Sequence, residues 1–257
     1  MRDVSPLVVI VGPTASGKTA LAIELAERYD GEIICADSRT VYKGLDIGTA
    51  KPTPEERRQV PHHLLDVAGL DEPFTVADFK QSAEKAIEDI SRRGKLAIMV
   101  GGSGLYVDAV IYDYQFSDGS RRDEVNARHA HRDSDHSKSG LRHNTLLLGL
   151  SVDTDRLRER IRARVESMLR EGLVEEVKWA IAQHPGAKAL DATGYKAVRA
   201  YLSGDLSVDE AADLFVQNDY QLSRRQMTWF RRNKSIHWLN HPSKADDFVT
   251  TFLNKKQ

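Results

Sequence analysis

Leu7 to Val11 (LVVIV) is an unbroken apolar run, the pattern of a strand buried on both faces, and it leads through a glycine loop into an amphipathic stretch from about Lys18 to Tyr29. The alternation continues. A short strand is predicted at Glu32–Asp37, an irregular stretch from Ser38 to Pro61, a strand near His63–Val67, a helix over Thr75–Arg93 and a strand over Lys95–Val100. Strands alternating with helices predict an α/β fold with a parallel sheet. Between Ser117 and Asn144 aliphatic residues nearly vanish and Asp, Ser, Arg and His take over, which predicts a polar insertion or lid. Leu146–Leu150 (LLLGL) then reads as another buried strand, Asp153 to about Gln183 as one long helix, and everything beyond as helical, with breaks at Gly194, Gly204, Asn240 and Pro242. Ser207 and Glu210 form a capping box that opens a helix running to about Arg232, and the polar tail after Ser243 reads as a last short helix. The expected organisation is an α/β core over 1–116, a reduced insertion over 117–144, and a return to the core with a helical part over 145–257.

Composition narrows the class. The 257 residues carry 37 basic and 38 acidic side chains, a net charge of −1, which excludes a uniformly basic nucleic-acid coat but leaves local basic faces possible. No run approaches the ~18 apolar residues of a membrane span, and Leu7–Val11 is too short for a signal peptide. Cys35 is the only cysteine, so neither an intramolecular disulfide nor a cysteine-based zinc site can form. A monomer in the reducing cytoplasm is the expected setting.

The chemistry begins at residues 12–19, GPTASGKT, which match G-x-x-x-x-G-K-[ST] between a strand and a helix, the context that this phosphate-binding motif requires. Gly12 and Gly17 admit backbone shapes and close approaches that let the amides of the loop, through Thr14, Ala15 and Ser16, converge on phosphate oxygens. Lys18 adds a point charge and Thr19 a hydroxyl for Mg²⁺. This nucleotide-binding pattern predicts a P-loop NTPase-like sheet and a diphosphate-bearing ligand without saying which. Asp37 and Ser38 end the second strand, and carboxyl ends of parallel strands face one crevice, so a carboxylate is expected beside the phosphates, holding Mg²⁺ or accepting a proton. Ser103, in GGSGLY after the Lys95–Val100 strand, is a candidate donor to a phosphate or bridging oxygen.

Two basic groupings stand out. Arg156, Arg160 and Arg164 share one side of a helix, either as a solvated face or as a guanidinium row on diphosphate oxygens. Tyr220–Ala245 holds Arg224, Arg225, Arg231, Arg232, Lys234 and Lys244 with no acidic residue, interleaved with Trp229, Phe230 and Trp238. That mixture fits RNA binding, with the aromatics stacking on bases or serving as core. The histidines, among them His62, His63, His129, His131, His136 and His143, are too irregularly spaced and too poor in partner ligands for a metal site.

Taken together, GPTASGKT, ADSRTVYKGLDIGTAKPT (Ala36–Thr53), PHHLLDV (Pro61–Val67), FTVADF (Phe74–Phe79), GGSGLY, RIRARVESMLREGLVEEV (Arg160–Val177), TGYKAV (Thr193–Val198) and RRQMTWFRR (Arg224–Arg232) resemble the tRNA dimethylallyltransferases, or tRNA isopentenyltransferases. The resemblance implies an ATP-binding-type P-loop fold and transfer of a dimethylallyl group from dimethylallyl diphosphate to N6 of an adenine beside the anticodon of tRNA. It implies Asp37 as general base, with Lys18 and Ser103 completing the catalytic set. It also implies Mg²⁺ on Thr19, and Arg160 and Arg164 with the loop on the diphosphate. Along the RNA it implies Asp37, Ser38, Arg39, Thr40, Gly194, Tyr195, Lys196, Arg224, Arg225, Gln226, Thr228 and Arg231. Thr40 stands where the family has glutamine, Ser103 where it has threonine, and the family's larger helical insertion is missing between Val107 and Leu146. A P-loop small-molecule kinase and a non-catalytic RNA-binding remnant are the alternative readings.

Overall fold

The computed structural model describes residues 4–116 and 140–254, so most of the insertion expected at 117–144 lies outside the described residues. The first half alternates as the apolar pattern requires: β1 (Leu7–Val11), α1 (Lys18–Arg28), β2 (Gly31–Cys35), α2 (Pro54–Gln59), β3 (His62–His63), α3 (Val76–Arg92), β4 (Leu96–Gly101) and α4 (Gly104–Ile111). The second half contains β5 (Thr145–Leu150), α5 (Thr154–Arg170), α6 (Leu173–Gln183), a 3₁₀ turn (Lys188–Asp191), α7 (Thr193–Leu202), α8 (Val208–Phe230), β6 (His237–Leu239) and α9 (Ala245–Asn254). The six strands form one parallel sheet in the order β3-β2-β4-β1-β5-β6, as the α/β reading expected.

Alternate side chains of β1 go to opposite faces of this sheet. Leu7, Val9 and Val11 pack with α3 and α4, whereas Val8 and Ile10 pack with α1 and α9. A third core joins α5 through α8 and takes Leu45 from the loop after β2. The crevice therefore lies between the carboxyl edge of the sheet and a separate helical layer.

Four local expectations are corrected. The strand near His63–Val67 shrinks to His62–His63, because the chain turns through left-handed backbone at Leu64 and Asp66, where Lys51 and Arg57 hold the Asp66 carboxylate. The irregular stretch 38–61 contains α2, whose Thr53–Glu56 capping box and Pro54 at its first turn are a start signal. The single helix over 153–183 is two: Gly172, at φ 106°, breaks it, and both pieces bury their apolar stripe in the same third core. The chain after 183 is not all helical, since His237–Leu239 pairs in parallel with β5. The capping box at Ser207 and Glu210 opens α8 as predicted.

Candidate active site

Because the sheet is parallel, the loops after β1, β2 and β4 leave at one edge and surround a crevice of about 1450 Å³. The phosphate loop forms its floor. Gly12 must lack a side chain there, since a Cβ would lie 2.6 Å from the Leu150 carbonyl oxygen of β5. Ala15 and Gly17 take left-handed backbone at φ 57° and 89°, the alternation that turns successive amides into a concave anion nest at the start of α1.

Lys18, the first residue of α1, folds back so that Nζ donates to the Pro13 carbonyl at 2.5 Å and reaches Ser16 Oγ at 3.4 Å. Burial pushes its ammonium down to about 7, Arg164 pushes the same way, and Asp37 opposes them in part. Arg164 comes in from α5, where Ile161, Val165 and Met168 face the core. Its Nη1 donates to Thr14 Oγ1 at 2.8 Å, while its buried Nε has no hydrogen-bond partner among the described residues. Burial lowers its basicity, which the charges of Asp219 and Asp37 partly restore.

Asp37 sits two residues past β2, lines the same crevice as Thr14–Thr19, and accepts the Arg39 N–H on Oδ1 at 2.8 Å. Ser103 caps the approach to α4 and accepts the Ser38 N–H on Oγ at 2.9 Å, while its own N–H donates to the Ala36 carbonyl at 3.3 Å. The loops after β2 and β4 are thus sewn together beside the phosphate loop. Thr40 is buried, its hydroxyl 3.4 Å from the Asp37 carbonyl, and Arg39 reaches the Lys188 carbonyl at 3.4 Å.

The wall opposite is helical. Asp219, Leu222, Gln226 and Trp229 recur at helical spacing on α8 and all line the crevice, as does Arg225. Asp219 was not among the residues singled out from sequence. It is 5% exposed and accepts the Thr193 hydroxyl at 2.5 Å, and burial raises its pKa although Arg164 pulls the other way. Gln226 Oε1 accepts the Thr14 N–H at 2.8 Å. The Trp229 indole donates to Asp108 Oδ2 at 2.8 Å, and burial pushes that α4 carboxyl up to about 7.

The rim of the crevice is held by charges the motif does not contain. Glu176 on α6 accepts the N–H groups of Asp46, Ile47 and Gly48 at 2.7, 2.7 and 2.9 Å and the Tyr195 hydroxyl at 2.6 Å. Nearby, the buried Lys51 ammonium donates to the Tyr42 carbonyl, Asp46 and Asp66 at 2.6, 2.7 and 2.5 Å.

Several expected placements change. Of the arginine row only Arg164 enters the crevice; Arg156 and Arg160 are exposed and do not line it, because α5 runs past the site and carries the earlier turns into solvent. Gly194 and Tyr195 are buried, the glycine against the Phe215 ring and the tyrosine under Glu176, so neither presents a surface to RNA. Lys196 is exposed, 3.6 Å from Asp191. Arg224, Thr228 and Arg231 are exposed, although the Thr228 hydroxyl turns back to the Arg224 carbonyl at 3.0 Å. Phe230 is core, so packing explains it; Trp229 is half-buried, its indole N–H tied to Asp108, while it also lines the crevice. His63 pairs with Glu32, and among the described residues no group of three or more His, Cys, Asp or Glu could cage a metal. Among the same residues no helix is long and apolar enough to cross a membrane.

Comparison with known proteins gives a consistent picture. The profile of the IPP transferase family matches residues 40–142 and 128–233. The tRNA dimethylallyltransferase of Geobacter metallireducens is 41% identical over 96% of each chain, and that of Lactococcus lactis 38% identical over 96% of this chain and 98% of the relative. The Geobacter alignment runs over 297 positions, more than the 257 residues here, so that relative carries residues this chain lacks. The crystal structure of the full-length tRNA isopentenylpyrophosphate transferase of Bacillus halodurans superposes with a TM-score of 0.85 at 34% identity, covering 98% of both chains.

Proposed function

Because this chain belongs to the IPP transferase family, we propose that its crevice takes dimethylallyl diphosphate on the phosphate loop and an unstacked adenine of tRNA against Asp37. The protein is a prenyltransferase that modifies tRNA. The adenine N6 lone pair attacks C1 of the dimethylallyl group, the C1–O bond breaks, pyrophosphate departs, and the surplus N6 proton passes to the Asp37 carboxylate. Charge grows on the leaving oxygens, so the fixed donors belong there: the loop amides, Lys18 and Arg164. A diphosphate arriving beside Lys18 also supplies the negative charge that returns its ammonium to full protonation.

The observation that carries this reading is the shared crevice, with Asp37 facing the same space as Lys18, Arg164 and the loop. Ser103 serves by fixing Ser38, and so the backbone next to Asp37. The tRNA itself would run over Ser38, Arg39 and Lys196, with the buried Thr40 beneath them, and along the exposed basic side of α8 at Arg224, Arg225, Thr228 and Arg231. The adenine must leave its stack to reach a crevice this deep.

Mg²⁺ fits the donor set. Thr19 offers one hydroxyl at the mouth of the loop and the substrate supplies phosphate oxygens, which suits a hard cation that keeps most of its ligands outside the protein. When bound there it would neutralise pyrophosphate charge. One chain supplies all the groups named, which supports a monomer, and a tRNA substrate fits work in the cytoplasm.

The test is to incubate the protein and Mg²⁺ with bulk tRNA and labelled dimethylallyl diphosphate, and in parallel with γ-labelled ATP. Label from the diphosphate should enter tRNA; label from ATP passing to a small molecule would favour a kinase, and no transfer at all a binding remnant. Asp37→Asn should lower prenyl transfer by about 10²- to 10⁴-fold while pyrophosphate binding is kept. Loss of binding along with transfer would remove Asp37 from the role of base.

A further inference from the structure

The contacts around Thr14 assign a second duty to the helix expected to carry RNA. Thr14 lies one residue before the left-handed turn at Ala15 that starts the anion nest, so its position sets where the nest begins. It is held at two points from the helical layer. Arg164 of α5 donates to its hydroxyl oxygen at 2.8 Å, and Gln226 of α8 accepts its N–H at 2.8 Å. Gln226 is itself seated by Gly102, just after β4, where a Cβ would overlap its amide nitrogen. One turn further along, Trp229 locks α8 to α4 through Asp108.

We infer that Gln226 is a positioning residue for the phosphate loop, setting the diphosphate site from the helix that also faces the RNA, rather than a reader of the RNA itself. The inference rests on the diphosphate reading of the loop. A carboxamide is suited to this task because its oxygen accepts the amide without adding charge beside an anion, where a carboxylate would repel it. The N–H taken by Gln226 precedes the nest and so is not withdrawn from the concave amides that follow.

The test is calorimetric titration of inorganic pyrophosphate with Mg²⁺ into the wild-type protein, Gln226→Met and Gly102→Ala, together with separate KM values for dimethylallyl diphosphate and tRNA. Gln226→Met keeps length and volume but loses the acceptor; Gly102→Ala keeps the carboxamide but pushes it off its seat. Both should weaken pyrophosphate about three- to tenfold, the worth of one hydrogen bond. KM for dimethylallyl diphosphate should rise in step, with KM for tRNA unchanged. Wild-type affinity for pyrophosphate in Gln226→Met, or a rise confined to KM for tRNA, would overturn the inference. A wild-type protein that binds no pyrophosphate would fail the diphosphate reading itself and the inference with it.

Discussion

Replacing Asp108 by asparagine should stabilise the protein, and by an amount that grows with pH. The carboxyl is 7% exposed on α4 and, among the described residues, receives the Trp229 indole as its hydrogen-bond donor, too little to offset the loss of water. Burial therefore raises it from 3.8 to about 7. Between those values the folded protein holds a proton that the unfolded chain has released, so stability falls as pH rises through this window and levels off above about 7. At ~1.4 kcal/mol per pH unit the whole shift is worth roughly 4 kcal/mol, of which about 2–3 kcal/mol is lost between pH 5 and pH 8. Asparagine has nearly the same shape, keeps an oxygen for the indole N–H, and does not ionise. Urea unfolding of both proteins across pH 5–8 reads the difference directly. The stability advantage of Asp108→Asn should widen by about 2–3 kcal/mol over that range; a constant advantage, or a narrowing one, would refute burial as the cause.

Two further outcomes concern the site. With Lys18 near 7 in the empty crevice, pyrophosphate should bind best below that pH and lose up to ~tenfold per pH unit above it, because binding must then recruit a proton. Lys18→Met, which cannot titrate, supplies the baseline for the titration of pyrophosphate itself, and parallel pH profiles for the two proteins would contradict the assignment. Arg225→Ala should weaken tRNA binding and reduce the slope of log affinity against log salt by about one, as measured by filter binding from low to moderate salt. An unchanged slope would take Arg225 away from the phosphates.

What could be read from the chain alone was whatever is written contiguously. GPTASGKT, the carboxylate at Asp37 and the buried strands are all local statements, and the fold places them as expected. The remainder of the site depends on where one element lies against another. Arg156, Arg160 and Arg164 share the same helical spacing, and nothing in that spacing tells which turn of α5 passes over the crevice. Tyr195 sits in a motif that suggested a surface contact, but its hydroxyl is taken by Glu176, a residue whose importance lies in three backbone amides distant in sequence. Asp219 looked like one of many acidic helix positions until Thr193 and Arg164 were seen beside it. The two-residue β3 and three-residue β6 are too short for any alternation to declare itself; their neighbours in the sheet define them.

The pairing of β6 with β5 has a consequence for how this architecture can vary. The helical layer from α5 to α8 leaves the sheet at β5 and comes back to it on the adjacent strand, so both of its ends are moored in the same slab. Such a layer is an arch rather than an arm. Its two ends stand side by side on neighbouring strands, so any swing of it relative to the phosphate loop has to hinge in the segments that join β5 to α5 and α8 to β6.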